Sequence, residues 1–393
     1  MTFSEIMKAL DIESYPAELP EIFENDRKPL DLSVEAFDRI EAEYGALGER
    51  MCDLKDCAKE VEKNGALREY TRLAVRFLER ANHHEGGKLR LPVLDADSPL
   101  YHYPILLLAL AIPAGVKKYL DRGFPAAEVK EFINSFRARI ASKDAGTGKP
   151  TVSSYNWLRH YTSALLFGAG LFSVTPRVID APILILKNKN GKYKIMVTDG
   201  TYHKSGKLLG SAGYADTEGS FSADFSDDGE FYTGHEVIDS CVTKDVSRLS
   251  KSEWRVVAQK GDWMVGLHIP RGADLSEESM SKGFRDAMEK TMRYYADLDP
   301  KLVHTATWLL SPKLAELQGP GSGIARFSNR FIKYPISSGG KELFGFAFPS
   351  GIDSYEDLPE QTSLQRKLKA LYLSGGFIHA HAGFVPESDT WFK

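Results

Sequence analysis

One histidine stands at the end of an apolar stretch, where enzymes often place reactive side chains. The segment WMVGLHIPRGADLS puts His268 at the end of a strand pattern, which Pro270 and Gly272 stop before a helix begins. Alternation along the strand places Gly266 and His268 on one face. A glycine inside a strand marks close approach by a ligand or another backbone, so we expect room in front of the histidine. The pKa of an unperturbed histidine side chain is near neutrality, so His268 is a candidate base, with a structural strand end as the alternative.

The residues that follow this histidine have the features of a phosphate site. A helix begins near Ser276, capped by Asp274 or Ser276, and Glu277 three residues after Asp274 favours Asp274. Free backbone N–H groups and the positive helix end would lie next to Arg271 and Gly272. The sequence therefore predicts that this helix start can hold a phosphate.

Two further histidines have the spacing of metal ligands. His379 and His381, in FIHAHAGFV, share one face of a predicted strand. With His268 or His304 they would form a three-histidine site, and the protein would be a metal-dependent hydrolase. No acidic partner lies within the strand, so we favour exposed or core histidines and expect no bound metal.

Two glycine clusters, GPGSG and SSGGK, lie at residues 319–323 and 337–341. Both lack the spacing of a phosphate-binding loop and predict turns.

Composition limits the class of protein. The 393 residues exceed what one core usually serves, so we expect two domains. Fifty Lys and Arg against 54 Asp and Glu give a net charge of -4 without a long basic run, which argues against nucleic acid as a partner. The longest apolar run, Ile105 to Ile112, is too short to cross a bilayer, and the first residues lack a signal-peptide layout. We expect a cytoplasmic protein without a membrane partner.

Helical periodicity dominates residues 1–176, which we predict to be a helical domain. Ser33 is a predicted N-cap, and apolar residues recur at helical spacing in the segments that follow. The predicted helical segments are 33–45, 65–84, 101–123, 125–142 and 153–172.

From Val178 the apolar period changes to two. Residues 181–199 predict two strands joined by a type I′ turn at Asn190–Gly191, and residues 253–270 predict a second pair turning at 260–262. A long helix, strands at 304–310, 344–348 and 377–385, and intervening helices complete residues 177–393. This order predicts an α+β fold, in which a mixed sheet flanked by helices follows the helical domain, rather than a doubly wound sheet.

Three stretches, GDWMVGLHIPRGADLSEESMSKGFRDA, TATWLLSPKLAEL and SGIARFSNRF, resemble a bacterial family of acyltransferases. Its members pair a helical N-terminal domain with a GNAT-like C-terminal domain, and the resemblance covers most of the chain. It implies that acetyl-CoA or another acyl-CoA lies between two strands, with its pyrophosphate on the helix that starts near Ser276. The segment RGADLS lacks the Q/R-x-x-G-x-G/A loop of ordinary GNAT enzymes. The residues implied in coenzyme A binding are Ile269, Arg271, Gly272 and Ser276.

The implied reaction transfers an acyl group to the amine of a small molecule or peptide. It needs a base, an N–H that polarises the thioester carbonyl, and an acid for the thiolate. By position we assign His268 as the base and Tyr334 as the acid, with Glu236 and His235 assisting if their strand lies beside His268. A non-catalytic ligand-binding protein of the same fold is the alternative. The acceptor, the acyl group and the oligomeric state stay open.

Overall fold

The computed structural model describes residues 1–81, 83–142, 155–270, 272–349, 351–352 and 354–386. The chain forms two compact units, Met1–Phe167 and Gly168–Lys393. The sequence placed the division after residue 176, because residues 153–172 were predicted to be helical. In the structure that helix ends at Thr162, and two strands joined through Gly170, with a φ of 57°, begin at Phe167. Residues 168–176 therefore belong to the second unit.

The first unit is helical within the described residues. Ser33 caps a helix by accepting a hydrogen bond from the backbone N–H of Ala36 (3.3 Å), as predicted. The helix from Gly65 buries Leu67, Tyr70 and Leu73 on its apolar stripe. The helices are α1 (Phe3–Ala9), α2 (Glu18–Asn25), α3 (Val34–Tyr44), α4 (Met51–Lys63), α5 (Gly65–Arg80), α6 (His83–Gly86), α7 (Tyr103–Asp121), α8 (Ala126–Ala141) and α9 (Tyr155–Thr162).

Helix α7 has a strongly apolar sequence. Together with the 3₁₀ turn Pro99–His102, it forms a segment, Pro99–Asp121, that is long and apolar enough to span a membrane. This segment is longer than the apolar run Ile105 to Ile112, on which the prediction that no segment crosses a membrane was based. However, 61% of its most apolar window is buried inside the protein, as in the core helix of a folded domain.

The strands that the structure describes lie in the second unit, whose described residues also form five helices. The strands are β1 (Phe167–Ala169), β2 (Phe172–Val178), β3 (Ile183–Asn188), β4 (Tyr193–Val197), β5 (Thr201–Tyr202), β6 (Phe221–Ser222), β7 (Ser226–Asp227), β8 (Phe231–Ile238), β9 (Cys241–Ser250), β10 (Trp254–Gln259), β11 (Trp263–His268), β12 (Val303–Thr307), β13 (Ile332–Pro335) and β14 (His381–Phe384). The helices are α10 (Glu277–Tyr294), α11 (Pro312–Gln318), α12 (Gly323–Asn329), α13 (Phe344–Ala347) and α14 (Ser363–Leu373).

Two six-stranded sheets organise this unit. The first has the order β1-β2-β11-β12-β14-β13, and the second has the order β10-β3-β4-β8-β7 with β9 paired to β8. A shared apolar core joins them, with Ile185 and Ile195 from the second sheet and Met264 and Phe384 from the first. The sheets therefore pack face to face.

The turn at residues 260–262 connects the two sheets. The sequence predicted that its flanking strands form a pair, but β10 pairs with β3 and β11 pairs with β2. Strand pairing depends on contacts between segments distant in sequence, so the local residue pattern of β10 and β11 does not reveal their partners.

The hairpin between β3 and β4 is present, but its turn differs from the predicted type I′. Gly191 has a φ of 76° and Asn190 is not among the residues with positive φ. A type I′ turn needs positive φ at both central residues, so that prediction is wrong.

Two predictions near the carboxyl end are also wrong. Residues 344–348 were predicted to be a strand, but Phe344–Ala347 form the short helix α13, whose apolar side chains pack into a local cluster. The strand at this position in the order is instead β13, Ile332–Pro335. The last strand begins only at His381, so His379 precedes it.

Candidate active site at the ends of two parallel strands

Strands β11 and β12 form a parallel pair in the first sheet and separate toward their carboxyl ends. Val265 pairs with Val303 and Gly266 with His304, and the ladder goes no further. At the next position the Thr305 hydroxyl donates to the Leu267 carbonyl at 2.9 Å in place of a backbone bond. The carboxyl ends of parallel strands are where ligands bind in open sheets.

His268 is the last residue of β11, and it is half-buried. Its Nε2 lies 2.9 Å from the Thr175 hydroxyl on β2, which holds the ring. The predicted space beside Gly266 is filled, because a Cβ there would lie 2.5 Å from the Thr175 carbonyl and 2.9 Å from the Arg177 side chain. The glycine thus permits close approach by β2 and not by a ligand, and that part of the expectation is wrong.

The start of α10 is capped by Ser276, whose hydroxyl accepts from the Ser279 N–H at 3.3 Å. Asp274, the cap that the sequence favoured, instead accepts from the Ser276 N–H and hydroxyl and from the Ser279 hydroxyl. Hydrogen bonds from the two serines lower the pKa of Asp274. The predicted phosphate site therefore contains a carboxylate.

Further charges surround this helix start. Glu277 and Glu278 occupy the first turn, and Arg330 pairs with Glu277. Ile269 is half-buried and Gly272, with a φ of 79°, is exposed, while Arg271 lies outside the described residues.

Glu236 and His235 do not lie beside β11. They belong to β8 in the second sheet, whereas β11 pairs with β2 and β12. The Glu236 carboxylate lies 2.7 Å from the Lys194 ammonium, and Nδ1 of His235 lies 3.0 Å from the Thr243 carbonyl. The condition for their assistance to His268 is not met.

Tyr334 lies on β13 and is 2% exposed. Its hydroxyl is 2.8 Å from Nε2 of the buried His304 on β12. Burial raises the pKa of Tyr334 well above its ordinary value, and burial with the nearby Arg177 lowers the pKa of His304 to about 3. The tyrosine is thus a buried partner of His304, and the structure does not bring it to His268.

A pocket of about 450 Å³ lies where β12 ends and β14 begins. His379 and His381 line it, but Nε2 of His379 is 2.7 Å from the Ala212 carbonyl and Nε2 of His381 is 3.0 Å from the Lys207 ammonium. Within the part of the chain that the structure describes, no three His, Cys, Asp or Glu side chains form a group that could hold a metal. The two histidines therefore take part in hydrogen bonds with the protein itself.

Sequence reasoning did not find Lys207, Tyr214 and Ser311, which also line this pocket. Lys207 and Tyr214 lie in a stretch rich in Gly, Ser and Asp that predicts only loops. No motif marks them, because the pocket is formed by segments far apart in sequence.

Strand β11 separates from β12 at their carboxyl ends, and the long helix α10 follows β11. Residues 204–385 match the family model of the GNAT-like C-terminal domain. The predictions of an α+β fold and of a helical domain before a GNAT-like domain are confirmed.

Solved acyltransferase structures share this fold over nearly the whole chain. An acyltransferase in complex with decanoyl-CoA has a TM-score of 0.61 at 15% identity, covering 98% of this chain and 99% of that chain. A mutant acyltransferase with octanoyl-CoA has a TM-score of 0.60 at the same identity and coverage. An acyltransferase with decanoyl-CoA and teicoplanin has a TM-score of 0.58 at 15% identity, again over 98% and 99%. No curated protein matches the chain significantly by sequence.

Proposed function

We propose that this protein is an acyl-CoA-dependent acyltransferase that acylates an amine. The observation that carries the proposal is the parallel pair β11 and β12, which opens at its carboxyl end beside a half-buried histidine. The fold supports it, since it is shared with acyltransferases that bind acyl-CoA.

In the proposed reaction the amine nitrogen attacks the thioester carbonyl carbon and the carbon–sulfur bond breaks. His268, oriented by Thr175, takes the proton that the amine loses. The backbone N–H of Ile269, directly after the strand, polarises the carbonyl oxygen. The released coenzyme A thiolate takes a proton from water, because Tyr334 is buried against His304.

Coenzyme A carries phosphates, yet Asp274, Glu277 and Glu278 lie at the start of α10. We propose that the phosphates bind the arginines of α12 and its end, Arg326 and Arg330, beside this helix start. Arg326 lowers the pKa of Asp274 and Arg330 pairs with Glu277, so both cations lie near the carboxylates. Phosphate binding there would replace the pairing of these arginines with the carboxylates. Because the contact is between charges, the affinity for coenzyme A should fall as the salt concentration rises.

The proposal also covers the length of the acyl chain and the class of acceptor. The sequence suggested acetyl-CoA, whereas the similar structures hold octanoyl-CoA and decanoyl-CoA, which favours a medium-length acyl group. One similar structure also holds teicoplanin, which supports an amine on a small molecule such as a glycopeptide. We also propose a cytoplasmic location, where acyl-CoA is available.

The test compares acyl transfer by the wild-type chain and by His268→Ala, with acetyl-, octanoyl- and decanoyl-CoA and a panel of amines. Removing a general base should lower kcat/KM by roughly 10² to 10⁴ while acyl-CoA binding is kept. His235→Gln is the matched control, because His235 lies in the other sheet and should leave transfer unchanged. Acyl-CoA binding without transfer to any amine would favour the non-catalytic alternative.

A further inference from the structure

The pocket beside β14, here called the Lys207 pocket, contains a cation whose charge the described protein does not balance. The half-buried Lys207 ammonium donates to Nε2 of His381 at 3.0 Å and to the Ser240 carbonyl at 3.2 Å. Both acceptors are neutral, and no carboxylate pairs with Lys207 among the residues that the structure describes. One ammonium N–H and the positive charge are therefore available to a ligand.

The other charges around this lysine do not offset it. Lys313 and Glu316 line the same pocket but pair with each other at 2.9 Å. Lys333 lies close enough that Lys207, after burial, lowers its pKa. The net charge facing the pocket is thus positive.

The two histidines have defined hydrogen-bonding roles. Burial and Lys207 lower the pKa of His381 to about 3, so its neutral ring accepts at Nε2, and its Nδ1–H donates to the His379 carbonyl at 3.1 Å. Nε2 of His379 faces the Ala212 carbonyl, which only accepts, so Nε2 carries the proton. The other ring nitrogen, Nδ1, makes no hydrogen bond with the described residues, and it accepts from a ligand N–H whenever the ring is neutral.

Two hydroxyl groups complete the polar lining. Ser311, which is 1% exposed, and the half-buried Tyr214 both line the pocket, and their hydroxyls can donate to a ligand there. Leu371 and Phe377 add apolar side chains to the pocket lining.

We propose that the Lys207 pocket binds the carboxylate of an amino-acid-like acceptor amine. Lys207, Tyr214 and Ser311 donate to the carboxylate, His379 accepts from an N–H of the ligand, and the apolar lining contacts its side chain. The pocket lies at the carboxyl end of β12, the sheet edge that also carries His268. The assignment of this ligand as the acceptor rests on the proposed acyltransferase function.

The experiment measures binding to the full chain by ligand-observed NMR. L-Phenylalanine is compared with L-phenylalaninamide, which lacks the carboxylate, and inorganic phosphate and coenzyme A are used as competitors. A hydrogen bond to a charged group contributes about 1.5–3 kcal/mol, so the amide should bind at least about tenfold more weakly. Lys207→Met should abolish this discrimination, and Lys207→Arg should keep part of it.

Lys313→Met is the matched control, because it removes a lysine of the same pocket that Glu316 already neutralises, and the discrimination should persist. A thermal melt of each variant verifies that it folds. The proposal is overturned if neither probe binds, if acid and amide bind equally, or if Lys207→Arg and Lys207→Met discriminate as the wild type does. It is also overturned if coenzyme A and phosphate displace phenylalanine, because the anion would then belong to the coenzyme.

A separate titration with acyl-CoA distinguishes this failure from failure of the proposed function. If acyl-CoA binds but L-phenylalanine and L-phenylalaninamide bind equally well, only the assignment of the Lys207 pocket as a carboxylate site is overturned. Discrimination without acyl-CoA binding leaves a carboxylate site and overturns its role as an acceptor site.

Discussion

Mild acid should destabilise the second unit through two buried histidines. His304 is 3% exposed and His381 is 2% exposed, and burial lowers the pKa of each to about 3. The neighbouring Arg177 lowers the pKa of His304 further, and Lys207 that of His381. In the unfolded chain both rings titrate near 6.5.

The sign and size of the effect follow from proton linkage. A histidine whose pKa is lowered by folding leaves stability intact above about pH 6.5, and stability falls as pH drops from there toward the native pKa near 3. Between pH 7 and pH 5 the histidine ring becomes protonated in the unfolded chain but stays neutral in the native protein. The difference lowers the free energy of unfolding by about 2 kcal/mol for each histidine and by about 4 kcal/mol for the two together.

Urea denaturation at pH 7 and pH 5, followed by tryptophan fluorescence, measures this loss. Trp254, Trp263 and Trp308 report on the second unit. A double variant with His304→Gln and His381→Gln is less stable at pH 7 but should lose far less between the two pH values. Carboxylates contribute mainly below about pH 4.5, outside this interval. Equal stability of the wild type at both pH values, or an equal loss in the double variant, would refute the reasoning.

Three substitutions test the surroundings of the strand ends. Gly266→Ala forces a Cβ to 2.5 Å from the Thr175 carbonyl and should lower the free energy of unfolding by about 1–3 kcal/mol, measured by urea denaturation. Tyr334→Phe leaves His304 without its Nε2 partner, so it should cost about 1–3 kcal/mol of stability while kcat for acyl transfer stays near wild type. Thr175→Val removes the hydrogen bond to His268 and should lower kcat less than His268→Ala does, with KM for acyl-CoA unchanged.

The sequence predicted local features of the fold more successfully than pairings between distant segments. Ser33 as a helix cap and the buried stripe of α5 follow from spacing within a few residues. The division after Phe167 was missed, because the apolar residues 164–167 and the short strands β1 and β2 follow α9 within a few residues. The pairing of β10 with β3 depends on long-range packing that no local period encodes.

The candidate site shows the same contrast. The position of His268 at the end of β11 could be predicted from the strand pattern and the residues that stop it. The filled space beside Gly266 could not, because it depends on β2, whose Thr175 lies far away in sequence. Glu236 and Tyr334 were assigned by order along the chain, and the two-sheet topology separates Glu236 from His268 and buries Tyr334 on His304.

Calorimetric titration of the folded full-length chain with decanoyl-CoA tests the central claim most directly. The account predicts one bound molecule per chain, with a Kd within the range of about 1 µM to 1 mM that is typical of enzyme substrates, and weaker binding as salt is raised. No binding up to the top of that range, by a chain that still shows cooperative unfolding, would contradict the assignment of the β11–β12 opening as an acyl-CoA site.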